Sequence, residues 1–179
     1  MIKRVSIVII LVLSLGIGGY FVFSSVYQKQ TRLDNETTNL LIKTLKNPSL
    51  LKSINIADAS HAANVWVPES SDEQKNIASK LVTYLDHASI YTSEIPKSNE
   101  LITFGGNIGP SQLIVLNTNK SSIGICPAYY IITKNNSYSV KYIDGVVDVT
   151  NGNKHVYVKT DKLYNWLKND EWKTDYKQM

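Results

Sequence analysis

The chain has 179 residues, a formal net charge of +4 and 43% apolar residues, enough for one domain with its own core beside an apolar N-terminal run. Beyond Lys3 and Arg4, 17 basic side chains face 15 acidic ones, a net +2 too small and scattered for a nucleic-acid-binding face. A single cysteine, Cys126, excludes an internal disulfide, so the fold must stand on its hydrophobic core.

Residues 1–4 form a short head with Lys3 and Arg4, read as cytoplasmic. Val5 to Tyr27, VSIVIILVLSLGIGGYFVFSSVY, carries no charged side chain. About 20 apolar helical residues span a bilayer core, so this run predicts a transmembrane anchor over 5–27. Its four serines can return their hydroxyls to the helix backbone. Val22 and Ser24 fit the small positions of a signal-peptidase site, but the run exceeds the usual cleavable length, which favours an uncleaved anchor. Ser14 and Gly18 make a small-xxx-small pair of the kind ordinary spans carry. The expected localisation is the cell membrane, single-pass, with the C-terminal domain outside the cytoplasm. The expected partners are the lipid bilayer through 5–27 and an envelope protein or cell-wall ligand, with no nucleic acid.

Residues 28–48 predict a juxtamembrane helix or stalk. Leu33, Leu40, Leu41 and Leu45 fall near one face, and Asn47-Pro48 ends it, because the residue before proline is pushed out of the α region. The domain proper is expected over 49–179. Ile54 and Ile56, then Val65 and Val67 around Trp66, alternate as short strands, with ADASHAAN as the loop between. Ser71 and Gln74 make a capping box, and Ile77, Leu81, Leu85 and Ala88 follow at helical spacing, predicting a helix over 71–88.

From Ser89 the pattern is that of strands. SIYTSEI and Leu101–Phe104 are candidates, the second closed by turn residues at Gly105-Gly106-Asn107 and Gly109-Pro110. Gln112–Asn117, Ser122–Cys126, Ala128–Thr133, Tyr138–Ile143, Val146–Val149 and His155–Val158 follow, separated by polar turns such as Asn151-Gly152-Asn153. A last helix with Leu163, Trp166 and Leu167 on its apolar face is capped by Thr160, and Trp172 and Tyr176 lie in the tail. The fold class is α+β: an N-terminal transmembrane helix, then a mostly antiparallel sheet packed by one or two helices.

No catalytic, cofactor-binding or metal-binding residue set stands out. Cys126 and His155 are the one thiol–imidazole candidate in the strand region. Alternation places Cys126 opposite Ile125 and beside Gly124, and Pro127 denies it a helix start, which favours a buried, inert thiol. A sortase-like reading fails, because no threonine-rich strand leads to Cys126 and no arginine follows Arg32. His61, His87 and His155 lack a second ligand at i+3 or i+4. Asp144 and Asp148 near Gly145 suit acid–base chemistry less than a polar strand edge. The segment 105–111 lacks the Gly-Lys-Ser/Thr of a phosphate loop. Tyr138, Val140 and Tyr142 share a strand face and Tyr129 and Tyr130 point apart; exposed aromatic strands can bind glycans or peptides, though tyrosine is also simply a good strand residue.

The order of INIAD, DEQKNIASKLVTYLDHA, SQLIVLN, YYIITKNNSYSVKY and HVYVKTDKLYNWL resembles small extracytoplasmic domains of Gram-positive lipoproteins and membrane-anchored proteins. The chain departs from the lipoprotein form in lacking a lipidated cysteine, and the resemblance implies no reaction and carries over no site residues. The expected function is a membrane-anchored, non-catalytic binding, sensing or interaction module at the cell envelope. The alternatives are a pilin-like structural subunit, whose processing glycine and glutamate are missing here, and a thiol-dependent enzyme using Cys126.

Overall fold

The computed structural model describes residues 35–58, 63–96, 112–134 and 137–176. Helix α1 (Glu36–Lys46) leads through a 3-10 turn at Pro48–Leu50 into β1 (Leu51–Asp58) and β2 (Ala63–Pro68). Helix α2 (Asp72–Leu85) and a two-residue strand β3 (Ser89–Ile90) follow. Strands β4 (Gln112–Thr118), β5 (Ser122–Lys134), β6 (Ser137–Asn151) and β7 (Lys154–Lys159) lead to α3 (Asp161–Lys168) and α4 (Trp172–Asp175).

The strands form one sheet in the order β2-β1-β4-β5-β6-β7-β3, and every neighbouring pair is antiparallel. Strands β2 and β3 are the two edges, so the connection through α2 carries the chain from one side of the sheet to the other. Period-2 alternation sends Ile54, Ile56, Val65, Val67, Ile114, Leu116, Ile123, Ile125, Val147, Val149 and Val158 to one face. There they form one core with Leu41 and Leu45 of α1, Ile77, Leu81 and Leu85 of α2, Leu163, Trp166 and Leu167 of α3, and Trp172 of α4. The other face carries none of the described helices.

Local chemistry sets the helix ends. Asn35 accepts the Thr37 N–H at the start of α1, and Ser71 Oγ accepts the Gln74 N–H at the start of α2. The reciprocal half of the expected capping box is altered: Gln74 Oε1 accepts from the Ser70 N–H, and its Nε2 donates to the Leu51 carbonyl. One buried amide thus fastens α2 to the start of β1. Thr160 does not cap α3 with its side chain; its hydroxyl donates to the Tyr84 carbonyl and ties α3 to α2.

Pairs of strands expected to be separate are continuous. β5 runs through Pro127 and β6 through Asp144-Gly145, bending where the register slips: Pro127 faces Val147 while Tyr129 faces Tyr142. Gly145 supports the bulge with φ +68, and a Cβ there would run into Asp161 Oδ1 and Lys159 Nζ, which pair with each other. Gly145→Ala should lower stability by about 1–2 kcal/mol, the cost of a left-handed alanine, read as a shift of the urea midpoint; an unchanged midpoint would refute it. The strand expected over 89–95 shortens to Ser89–Ile90. The candidates at 101–104 and 105–111 lie outside the described residues.

The membrane reading requires correction. Among the described residues no helix is long and apolar enough to cross a membrane. The longest, α2, has 14 residues, short of the about 20 needed, and it turns Lys75, Lys80 and Asp86 away from its apolar stripe. The span expected over 5–27 lies outside the described residues. The transmembrane helix of the expected fold class, the lipid bilayer as partner, the single-pass localisation and the membrane-anchored function are therefore without support. What stands is an α+β domain with a seven-stranded antiparallel sheet.

Candidate functional site

The face of the sheet opposite the helices is built by the alternate residues of the same strands. Cross-strand pairing sets Trp66, Asn55, Val115, Gly124, Thr150 and His155 in one row across six strands, a span of about 24 Å at the usual strand spacing. Trp66 stands at one end, 52% exposed, and His155 at the other, its side chain also 52% exposed. In the middle Gly124 leaves a gap that Thr150 fills: a Cβ on Gly124 would sit 2.5 Å from Thr150 Oγ1. The next row places Asn64, Ala57 and Leu113 on the β2 side, and Cys126, Asp148 and Tyr157 on the β7 side.

The hairpin at Asn151-Gly152-Asn153, with Gly152 at φ +58, fixes the β6–β7 register and brings His155 diagonally onto Asp148. His155 Nδ1 lies 2.9 Å from Asp148 Oδ2. With Asp148 ionised its carboxylate can only accept, so Nδ1 then carries the proton, and Nε2 is an acceptor whenever the ring is neutral. Asp148 is 8% exposed, and its Oδ1 is buried with no hydrogen-bond partner among the described residues. Burial raises the Asp148 carboxyl above its ordinary range, against the lowering effect of the His155 hydrogen bond. Burial, and then the Asp148 charge, pushes the Cys126 thiol up to about 12. The phenols of Tyr129 and Tyr157 are raised by burial and by the same two neighbours.

Structure thus brings together Cys126, Asp148 and His155 and keeps the others apart. It does not make a thiol nucleophile. The imidazole's partner is Asp148, and both burial and that negative charge oppose the thiolate a nucleophile needs, so the thiol-enzyme alternative falls. Asp144 sits at the bulge, accepting from Tyr164 Oη at 3.2 Å through its carboxylate and from Lys159 at 2.8 Å through its carbonyl. His87 is exposed at the end of α2, 3.6 Å from Asp86, and His61 lies outside the described residues. Among the described residues no group of histidine, cysteine and carboxylate ligands could hold a metal ion. Tyr142 packs under Lys168, whose Nζ is 4.4 Å from the ring centre, while Tyr138 is exposed at the far end of the β5–β6 hairpin.

The Trp66–His155 row was not singled out by motif, yet alternation carried its signal: Asn55 lies between Ile54 and Ile56, and Trp66 between Val65 and Val67. The Asp148–His155 pair had no such signal, since it depends on register. On the helix side, Ile42, Lys46, Val82, Leu85 and Asp86 line a cleft of about 190 Å³, smaller than ordinary small-molecule sites.

Fold and site together define an α+β domain with a one-sided antiparallel sheet and a polar–aromatic open face. The chain matches no family model, no curated protein and no solved structure.

Proposed function

We propose that this chain is a non-catalytic domain that binds a glycan across the open face of its sheet. The observation that carries the reading is the Trp66–Asn55–Val115–Gly124–Thr150–His155 row. A sugar ring has an apolar C–H face and a rim of hydroxyls. An exposed indole offers a flat apolar platform for the first, and amide, hydroxyl and imidazole groups offer donors and acceptors for the second. The row holds no lysine, arginine or carboxylate, which suits a ligand recognised by stacking and hydrogen bonds. A rigid sheet holds these groups in place, so little ordering entropy opposes binding.

The three tryptophans make the test direct. Trp166 is 1% and Trp172 0% exposed, so a ligand on the open face changes the emission of Trp66 alone. Titration with neutral oligosaccharides should shift tryptophan fluorescence, and Trp66→Ala should abolish the shift and weaken binding about tenfold or more, the loss of one stacking contact. Absence of any Trp66-dependent change across a panel of oligosaccharides would overturn the reading, as would hydrolysis of a bound one.

A further inference from the structure

The β7 end of the open face has a chemical character of its own. Asp148 is nine-tenths buried, its Oδ2 holds His155, and its Oδ1 has no partner among the described residues. Its ion-pair partner is His155, whose ring carries charge only when protonated. The lysines that flank β7 are engaged elsewhere: Lys154 pairs with Glu36 at 2.5 Å and Lys159 with Asp161 at 3.0 Å. Among the described residues, the other titratable groups coupled to the pair are Cys126 and Tyr129 on β5 and Tyr157 on β7, all acids held toward their neutral forms by burial and by Asp148. Among the described residues the Asp148 carboxylate forms its ion pair with His155 and with no ammonium or guanidinium.

We propose that the Asp148–His155 pair is a subsite for a primary ammonium group of the ligand, such as the free amine of a glucosamine unit. This rests on the glycan reading of the same face. With Nδ1–H committed to Asp148, the Nε2 of the half-exposed ring is the nitrogen left to accept, with the carboxylate behind it. An ammonium group has three donors and no acceptor, so it complements both. The phenol ring of Tyr157, opposite Asp148 across the strands, supplies an aromatic neighbour of the kind that favours cations. An N-acetylated sugar offers one amide N–H and no charge, and gains far less.

The experiment compares a β-linked glucosamine oligomer with its fully N-acetylated counterpart on the full-length chain, together with methylammonium alone, followed by the His155 ring signals in NMR. At about pH 7 the free-amine oligomer should bind about tenfold tighter, the worth of one charge-assisted hydrogen bond. The preference should vanish in Asp148→Asn, while His155→Gln, which keeps the carboxylate, should retain part of it. Methylammonium should move the His155 signals in the wild type. Equal affinity for the two oligomers, with His155 unmoved by methylammonium, would end the ammonium subsite and leave the glycan reading standing. A methylammonium response with neither oligomer bound would do the reverse.

Discussion

Lys173→Met is expected to destabilise the domain by roughly 3–5 kcal/mol, the usual cost of removing one member of a buried ion pair. Lys173 Nζ lies 2.5 Å from Asp58 Oδ2, and the Asp58 side chain is 0% exposed while that of Lys173 is 19% exposed. A second carboxylate, Asp170, is 3.0 Å from the same ammonium. The pair joins the last residue of β1 to α4, whose Trp172 is fully buried, so its loss takes the cation from a carboxylate in the core and loosens the tie to α4 together. The hydrogen bond to Asp58 outweighs burial and raises the Lys173 ammonium above its ordinary range. A raised lysine contributes fully below its unfolded value and loses that contribution only as pH climbs through the folded one, so the effect is undiminished at neutral pH. Urea unfolding checks it. The double variant Asp58→Leu/Lys173→Met should be more stable than Lys173→Met, because the fully buried carboxylate is then removed with its cation. A single-variant loss below about 1 kcal/mol would show that the pair is structurally idle.

Much of this fold is legible in the residues because its elements are amphipathic. Ile77, Leu81 and Leu85 mark α2 by spacing and Ser71 marks its start, and the structure agrees within a few residues. Strands β4 and β7 follow their alternation in the same way. The misreadings lie where one residue says two things. Pro127, which has no N–H for the ladder, falls between the strands expected at 122–126 and 128–133, but β5 continues through it with a shift of register. Asp144-Gly145 reads as a turn, but the left-handed glycine makes a bulge inside β6. The pull of Thr160 toward Tyr84 is tertiary and leaves no trace in a helix-cap pattern.

The site is less legible than the fold for a physical reason. The residues of the open row are spaced by pairing register across six strands, and register is set by turns and bulges that act together. Asn55 and Trp66 are readable as outward-facing on their own strands; that they stand side by side is not. Cys126 and His155 suggest a thiol–imidazole pair only until Asp148 comes between them. With Asp148 in place, the same three residues become a polar cluster whose thiol is silent and whose imidazole is oriented.

Trp166→Ala should cost roughly 3–5 kcal/mol, the range for truncating a large buried aromatic. The indole is 1% exposed and is held on several sides: Tyr84 tilts against it at 5.8 Å between ring centres, Tyr176 meets it edge-on at 6.2 Å, and Lys80 Nζ stands 5.3 Å from its centre. Its Nε1–H donates to Asp175 Oδ2 at 2.7 Å, and Lys80 pairs with the same carboxylate, so α2, α3 and α4 meet at one oxygen. Burial acting alone would raise the Asp175 carboxyl, but the Lys80 and Trp166 hydrogen bonds win and hold it below the ordinary range. A depressed carboxylate contributes its stability above the unfolded value, near 4, and loses it as pH falls through the lower, folded value. Asp175→Asn keeps the shape and removes the charge, so it should unfold at lower urea than the wild type around neutral pH, and the gap should close in acid below about pH 4 as the wild-type carboxylate takes its proton. The Trp166→Ala deficit is mostly lost packing and should persist at the acid end. A gap between Asp175→Asn and wild type that stays constant into acid would mean the carboxylate's charge contributes nothing to the junction of the three helices.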